Sequence, residues 1–126
     1  MMEIDLQSPV PVYLQVADWI KAGCLAGRWR PGDRIPPVRE MAAMLRINPN
    51  TVAKAYKLLQ DQSIIEGRHG GGNFIMPRPE KELAEERRGF LETELVALLD
   101  RTDRFGISRT EVLAKLAELC RRKENA

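Results

Sequence analysis

Asn50, Lys54 and Lys57 recur at helical spacing on one side of a short segment, with no nucleophile and no metal ligand among them. Side-chain amides carry donors and acceptors together, and ammonium groups carry positive charge. Such a row can bind polar edges and anions but cannot break bonds. A second group, Arg68-His69-Gly70-Gly71-Gly72, sets a cation and an imidazole beside three glycines. Their missing side chains permit positive φ and a close approach of backbone to another surface. Those glycines fall between two short apolar runs rather than at the start of a helix, so they are not a phosphate-cradling loop. Nothing elsewhere supplies a Ser/His/Asp or Cys/His constellation or a cofactor motif. The single histidine, and two cysteines as far apart as Cys24 and Cys120, form neither a metal-ligand spacing nor a disulfide framework. The expectation is a binding protein, not an enzyme, with no cofactor and no metal.

Charge locates the binding surface. The 126 residues carry 20 Lys/Arg and 18 Asp/Glu, a net +2. Counted by region, residues 1–78 hold 10 basic and 7 acidic groups, and residues 79–126 hold 10 and 11. Between Arg28 and Lys57 there are 7 basic groups against 2 acidic ones. A local excess on a small domain suits a polyanion such as DNA; a solvated basic face is the alternative that charge alone leaves open. No run approaches the ~18 apolar residues of a membrane span. The first ten residues, with Glu3 and Asp5, lack the pattern of a signal peptide. A cytoplasmic location is expected.

Helices and a hairpin must hold these groups. Val12, Val16 and Ile20, flanked by Tyr13, Ala17 and Cys24, form an apolar stripe that predicts a helix over Pro11–Gly27. A short extended piece follows over Asp33–Pro36. A second helix is predicted over Pro37–Leu45, with Val38, Met41, Ala42 and Leu45 inward. After the turn Arg46-Ile47-Asn48, Asn48 is the expected N-cap of a third helix running from Pro49 to Gln62. Val52, Ala55, Tyr56 and Leu59 face its core, and Tyr56 reads as core rather than as a stacking platform. Ile64–Arg68 and Asn73–Met76 read as the arms of a β-hairpin with His69–Gly72 at its tip. Trp19 and Trp29 read as packing residues rather than as the walls of a pocket.

Composition changes after Met76-Pro77-Arg78-Pro79. Residues 80–101 are rich in Glu, Leu, Ala and Arg, with an apolar stripe of Leu83, Phe90, Leu91, Leu95, Leu98 and Leu99. Thr102–Gly106 is expected to end that helix. Ser108-Arg109-Thr110-Glu111 has capping-box spacing and opens a last helix to about Arg122, carrying Val112, Leu113, Leu116, Leu119 and Cys120. The fold class expected is mostly α with a small β-hairpin: a winged helix-turn-helix over residues 1–78, then a two-helix dimerisation tail over residues 79–126.

Three blocks carry a family resemblance: Ile35-Pro36-Pro37-Val38-Arg39-Glu40-Met41-Ala42, Ile47-Asn48-Pro49-Asn50-Thr51-Val52-Ala53-Lys54-Ala55-Tyr56, and Ile64 through Ile75. In their order and spacing they resemble the DNA-binding domain of the GntR family of regulators, and the opening Pro11-Val12-Tyr13-Leu14-Gln15-Val16 is similar as well. Pro37 stands where the family often has serine, and Asn73 where it often has threonine. The short tail is similar to the YtrA-like branch, since about 47 residues after Pro79 are too few for the large effector or aminotransferase-like domains of other branches.

The resemblance implies that Arg39 contacts a phosphate or guanine, that Asn48, Asn50, Thr51 and Lys54 face the DNA groove, and that Arg68, His69, Gly70 and Gly71 form the wing contact. Helical spacing adds Lys57, and Arg34 is a further expected phosphate contact. An ion pair of Arg39 with Glu40 or Asp33 is the competing reading for that residue. The tail stripe of Leu83, Phe90, Leu91, Leu95, Leu98, Leu99, Leu113 and Leu116 is expected to pair two chains, with packing on its own first domain as the alternative.

The expected partners are therefore double-stranded operator DNA and a second copy of the chain. Family behaviour implies repression, commonly over a transporter operon and the regulator's own promoter, and release or reorientation by a small-molecule effector that no residue here identifies. A winged helix kept as a protein-interaction adaptor is the rival class. It would show apolar residues where Asn50, Lys54 and Lys57 stand.

Overall fold

In a computed structural model, residues 2–124 are described, and they divide into two compact units, Met1–Ala84 and Glu85–Ala126. The first unit holds α1 (Val12–Leu25), β1 (Arg34–Ile35), α2 (Val38–Leu45), α3 (Pro49–Asp61), β2 (Ile65–Gly67) and β3 (Asn73–Ile75). The long helix α4 (Glu80–Arg104) starts in the first unit and continues into the second, which α5 (Arg109–Glu124) completes.

The core of the first unit lies where α1 and α2 pack against α3. Val16 and Ile20 of α1, Met41 of α2, and Val52, Ala55 and Leu59 of α3 are fully buried. These are the stripes that the 3.6-residue period placed on one face. Trp19 and Trp29 meet edge to face at 6.0 Å, and the indole of Trp29 lies against Gly23 with no room for a Cβ there. Both tryptophans pack on the core cluster.

Helix α2 ends on Arg46 in the left-handed conformation, φ 56°. That residue redirects the chain within two positions into Asn48, the N-cap of α3, whose side chain accepts the Asn50 amide at 2.8 Å. Pro49 at the first helical position loses no hydrogen bond, because that N–H has no helical partner. The predicted helix-turn-helix is thus present, with α3 as its second helix.

The hairpin is part of a three-stranded antiparallel sheet of order β1-β3-β2. The expected extended piece at Asp33–Pro36 supplies the third strand, with Arg34 opposite Phe74 and Ile35 opposite Asn73. The loop is one residue longer than expected: β2 ends at Gly67, so Arg68 joins the loop, and its N–H donates to the Gly72 carbonyl at 3.1 Å. Gly70, Gly71 and Gly72 have φ of 90°, 104° and 97°, a region that side chains strain to reach.

In the second unit α4 runs through Thr102, where a helix end was expected, and the Thr102 hydroxyl donates back to the Leu98 and Leu99 carbonyls at 3.0 and 3.1 Å. The turn falls at the far end of the expected break, at Gly106, φ 73°. Ser108 then accepts the Glu111 amide at 3.1 Å, as its capping spacing predicts.

Candidate nucleic-acid interface

Helix α3 exposes one side and buries the other. Asn48, Asn50, Lys54 and Lys57 are exposed and Thr51 is half-buried, all on the helix whose opposite face carries Val52, Tyr56 and Leu59. The first turn of α3 therefore presents amides to solvent. Asn48 uses its side-chain oxygen for the cap and keeps its two N–H donors.

Lys54 and Lys57, equivalent by helical spacing, differ in surroundings. The Nζ of Lys54 lies over the Tyr13 ring of α1, 4.0 Å from its centroid. Lys57 lies 3.8 Å from the Asp61 carboxylate one turn on, with both side chains exposed. Lys54 is thus held by a neutral ring and Lys57 by an opposing charge. Arg39, exposed on α2, makes no ion pair among the described residues. Asp33, its expected alternative partner, accepts the Arg30 backbone amide at 2.8 Å.

Three cross-strand neighbours build the wing. Arg34, Phe74 and Glu66 sit side by side across β1, β3 and β2. Arg68 folds back over this row, 3.9 Å from the Phe74 ring centroid and 3.3 Å from the Glu66 carboxylate. Arg34 passes over Gly72, whose absent Cβ would stand 2.7 Å from the Arg34 Nε. His69, Gly70 and Gly71 are exposed at the tip, and added Cβ atoms at Gly70 and Gly71 would meet nothing within 4 Å. Cross-strand positions bring the Arg34 and Arg68 cations together on the wing, while the α3 residues lie on a separate element of the same unit.

Sequence reasoning passed over Tyr13 and Phe74 as members of this surface. Tyr13 sits in an apolar stripe and Phe74 in a strand, so both read as packing. Only the sheet register and the approach of α1 to α3 reveal their cations. Tyr56, read as core, is buried and donates to the Pro36 carbonyl at 2.5 Å, which ties α3 to the loop before α2. Burial, with Glu40 adding to it, pushes its phenol well above the usual value of 10.0.

The tail residues divide as well. Leu83 is half-buried within the first unit, where it lines a small cavity with Cys24, Trp29, Ile64 and Ile75. In the second unit no residue of α4 or α5 is buried. Phe90, Leu91 and Leu113 are 65%, 57% and 68% exposed. Leu95, Leu98 and Leu99 are half-buried and Leu116 is exposed. Leu98 and Leu116 share an apolar groove with Ile107, Val112 and Leu119. No helix of the described residues is long and apolar enough to cross a membrane.

Residues 12–75 match the family described as bacterial regulatory proteins, gntR family. The chain is 39% identical to the HTH-type transcriptional repressor YtrA of Bacillus subtilis over 99 residues, which is 79% of this chain and 76% of that one. Among solved structures it resembles YtrA from Sulfolobus acidocaldarius, a GntR-family transcription factor, at 28% identity and a TM-score of 0.59, covering 96% of this chain and 97% of that one. The AraR DNA-binding domain in complex with its operator ORX1 matches at 26% identity and a TM-score of 0.52, covering 60% of this chain and 99% of that domain. These relatives are regulators and not enzymes, and the chain is a member of the gntR family, a transcription regulator with a winged helix-turn-helix DNA-binding domain.

Proposed function

We propose that the protein is a homodimeric repressor that binds a pseudo-palindromic operator, with residues 1–78 as its DNA-binding part and residues 79–126 as its dimerisation tail. The observation that carries this reading is the exposed side of α3, an amide and ammonium row at the start of the second helix of a helix-turn-helix. A helix of this kind fits the major groove, where amides pair with base edges and cations with phosphates. The wing, with Arg34, Arg68 and His69 around its glycine tip, reaches the adjacent backbone or minor groove. Arg39 adds a phosphate contact beside them.

Two recognition helices related by a two-fold axis require two chains. The second unit supports pairing because it exposes Phe90, Leu91 and Leu113 and, among its described residues, buries none; apolar surface left open to this extent marks an interaction site. Repression follows where the operator overlaps a promoter, including that of the protein's own gene or a transporter operon. A small-molecule effector would act by shifting the relative placement of the two DNA-binding units.

Footprinting of the DNA upstream of the protein's own gene, combined with transcription in vitro, tests the reading. A protected two-fold symmetric stretch and reduced transcript are expected. Unprotected DNA with undiminished transcript would contradict autorepression, and activation would contradict the repressor.

A further inference from the structure

We propose that Tyr13 is a positioning residue for DNA recognition: its ring seats the Lys54 ammonium above α3 so that the cation is placed before DNA arrives. This deepens the proposed function and rests on it. Tyr13 lies in the first turn of α1 and Lys54 in the middle of α3, and the packing of these two helices brings ring and ammonium to 4.0 Å.

The nature of the seat matters. A free lysine carries substantial rotamer entropy, part of which is lost when it is fixed against DNA. A carboxylate seat would remove that cost but would also cancel the charge and repel phosphates, as Asp61 does beside Lys57. A tyrosine ring is neutral. It attracts the ammonium through its negative face and leaves the full positive charge directed outward. The ring occupies one side of the ammonium, and the remaining N–H donors stay available to a phosphate or base edge. No carboxylate stands within ion-pair distance of Lys54 among the described residues. The same device recurs on the wing, where the Phe74 ring lies under Arg68. There Glu66 shares the cation, so Lys54 is the cleaner case.

The test uses the full chain and a duplex enriched from a random pool on the parent protein. Affinity is measured over a range of salt for Tyr13→Leu, Tyr13→Phe, Lys54→Ala and the double variant Tyr13→Leu/Lys54→Ala. Tyr13→Phe keeps the ring and is expected to match the parent. Tyr13→Leu is expected to lose roughly two- to fivefold in affinity, the range of an exposed cation–π contact, with an unchanged salt slope because the charge remains. Lys54→Ala lowers the slope by about one, and adding Tyr13→Leu to it is expected to change nothing further. A Tyr13→Leu loss that persists in the Lys54→Ala background would overturn the proposal, as would a Tyr13→Leu variant with parental affinity. Failure to enrich any duplex on the parent would instead sink the DNA-binding reading itself.

If Tyr13→Leu fails to fold, the parent still decides. The Lys54 ε-methylene protons should resonate upfield under the ring current and stay there in Tyr13→Phe. Ordinary shifts in both would contradict the seat.

Discussion

Gly72 lies directly beneath the Arg34 side chain: a Cβ at Gly72 would stand 2.7 Å from the Arg34 Nε and 3.3 Å from the Phe74 ring. Its φ of 97° also lies where side chains are strained. Gly72→Ala should therefore cost about 1–3 kcal/mol in backbone strain and displace Arg34 as well. The expected result is a lower unfolding midpoint in urea together with DNA affinity reduced as far as in Arg34→Ala. Gly71→Ala carries the strain alone, because its Cβ would meet nothing, and should spare more of the affinity. Equal affinities for the parent and Arg34→Ala would show that Arg34 plays no part in binding.

Tyr56 predicts an alkaline limit to stability. Its phenol donates to the Pro36 carbonyl, and burial followed by Glu40 raises its pKa above the ordinary 10.0. A group that holds its proton more tightly when folded stabilises the fold fully below its unfolded pKa. That contribution is lost as pH rises beyond it. Urea titrations should show parental stability declining above about pH 10, a decline that Tyr56→Phe lacks. At neutral pH Tyr56→Phe should be less stable by about 1–3 kcal/mol, since the Pro36 carbonyl loses its donor. A Tyr56→Phe variant as stable as the parent at neutral pH would contradict that role.

The two exposed lysines of α3 should not behave alike. Lys57 already faces Asp61, whereas Lys54 faces a ring. Lys54→Ala and Arg39→Ala are each expected to weaken duplex binding and lower the salt slope by about one, with far-UV circular dichroism unchanged. Lys57→Ala should do less. Parental affinity in both Arg39→Ala and Lys54→Ala would remove the interface assigned to α2 and α3.

Leu95 and Leu83 separate pairing from packing. Leu95 lies on the half-buried side of α4 in the second unit, and Leu83 beside Cys24, Trp29 and Ile64 in the first. Leu95→Asp should halve the sedimentation mass and leave the first unit folded. Leu83→Asp should lower the melting temperature, because it places a charge next to the core. An unchanged mass for Leu95→Asp would contradict a tail-mediated dimer.

The helices and the Asn48 cap were legible because local spacing encodes them: an apolar stripe at Val52, Ala55, Tyr56 and Leu59 allows little else, and Asn-Pro marks a helix start. The wing was legible from its glycines. The structure added partners distant in sequence. Arg34 over Gly72, Lys54 over Tyr13 and the pairing of β1 with β3 arise from the approach of separate elements, which no local period records. The run of α4 through Thr102 was hidden for another reason. A threonine hydroxyl can compete with helical hydrogen bonds or fold back onto them, and here it folds back.

The most direct test of the central claim is selection of random duplex DNA on the purified protein, sequenced at low and high salt. A two-fold symmetric motif enriched at low salt and lost at high salt is the result that a dimeric, phosphate-contacting winged helix predicts. An enriched motif without symmetry would contradict the dimer, and no enrichment at either salt would contradict sequence-specific binding by this chain.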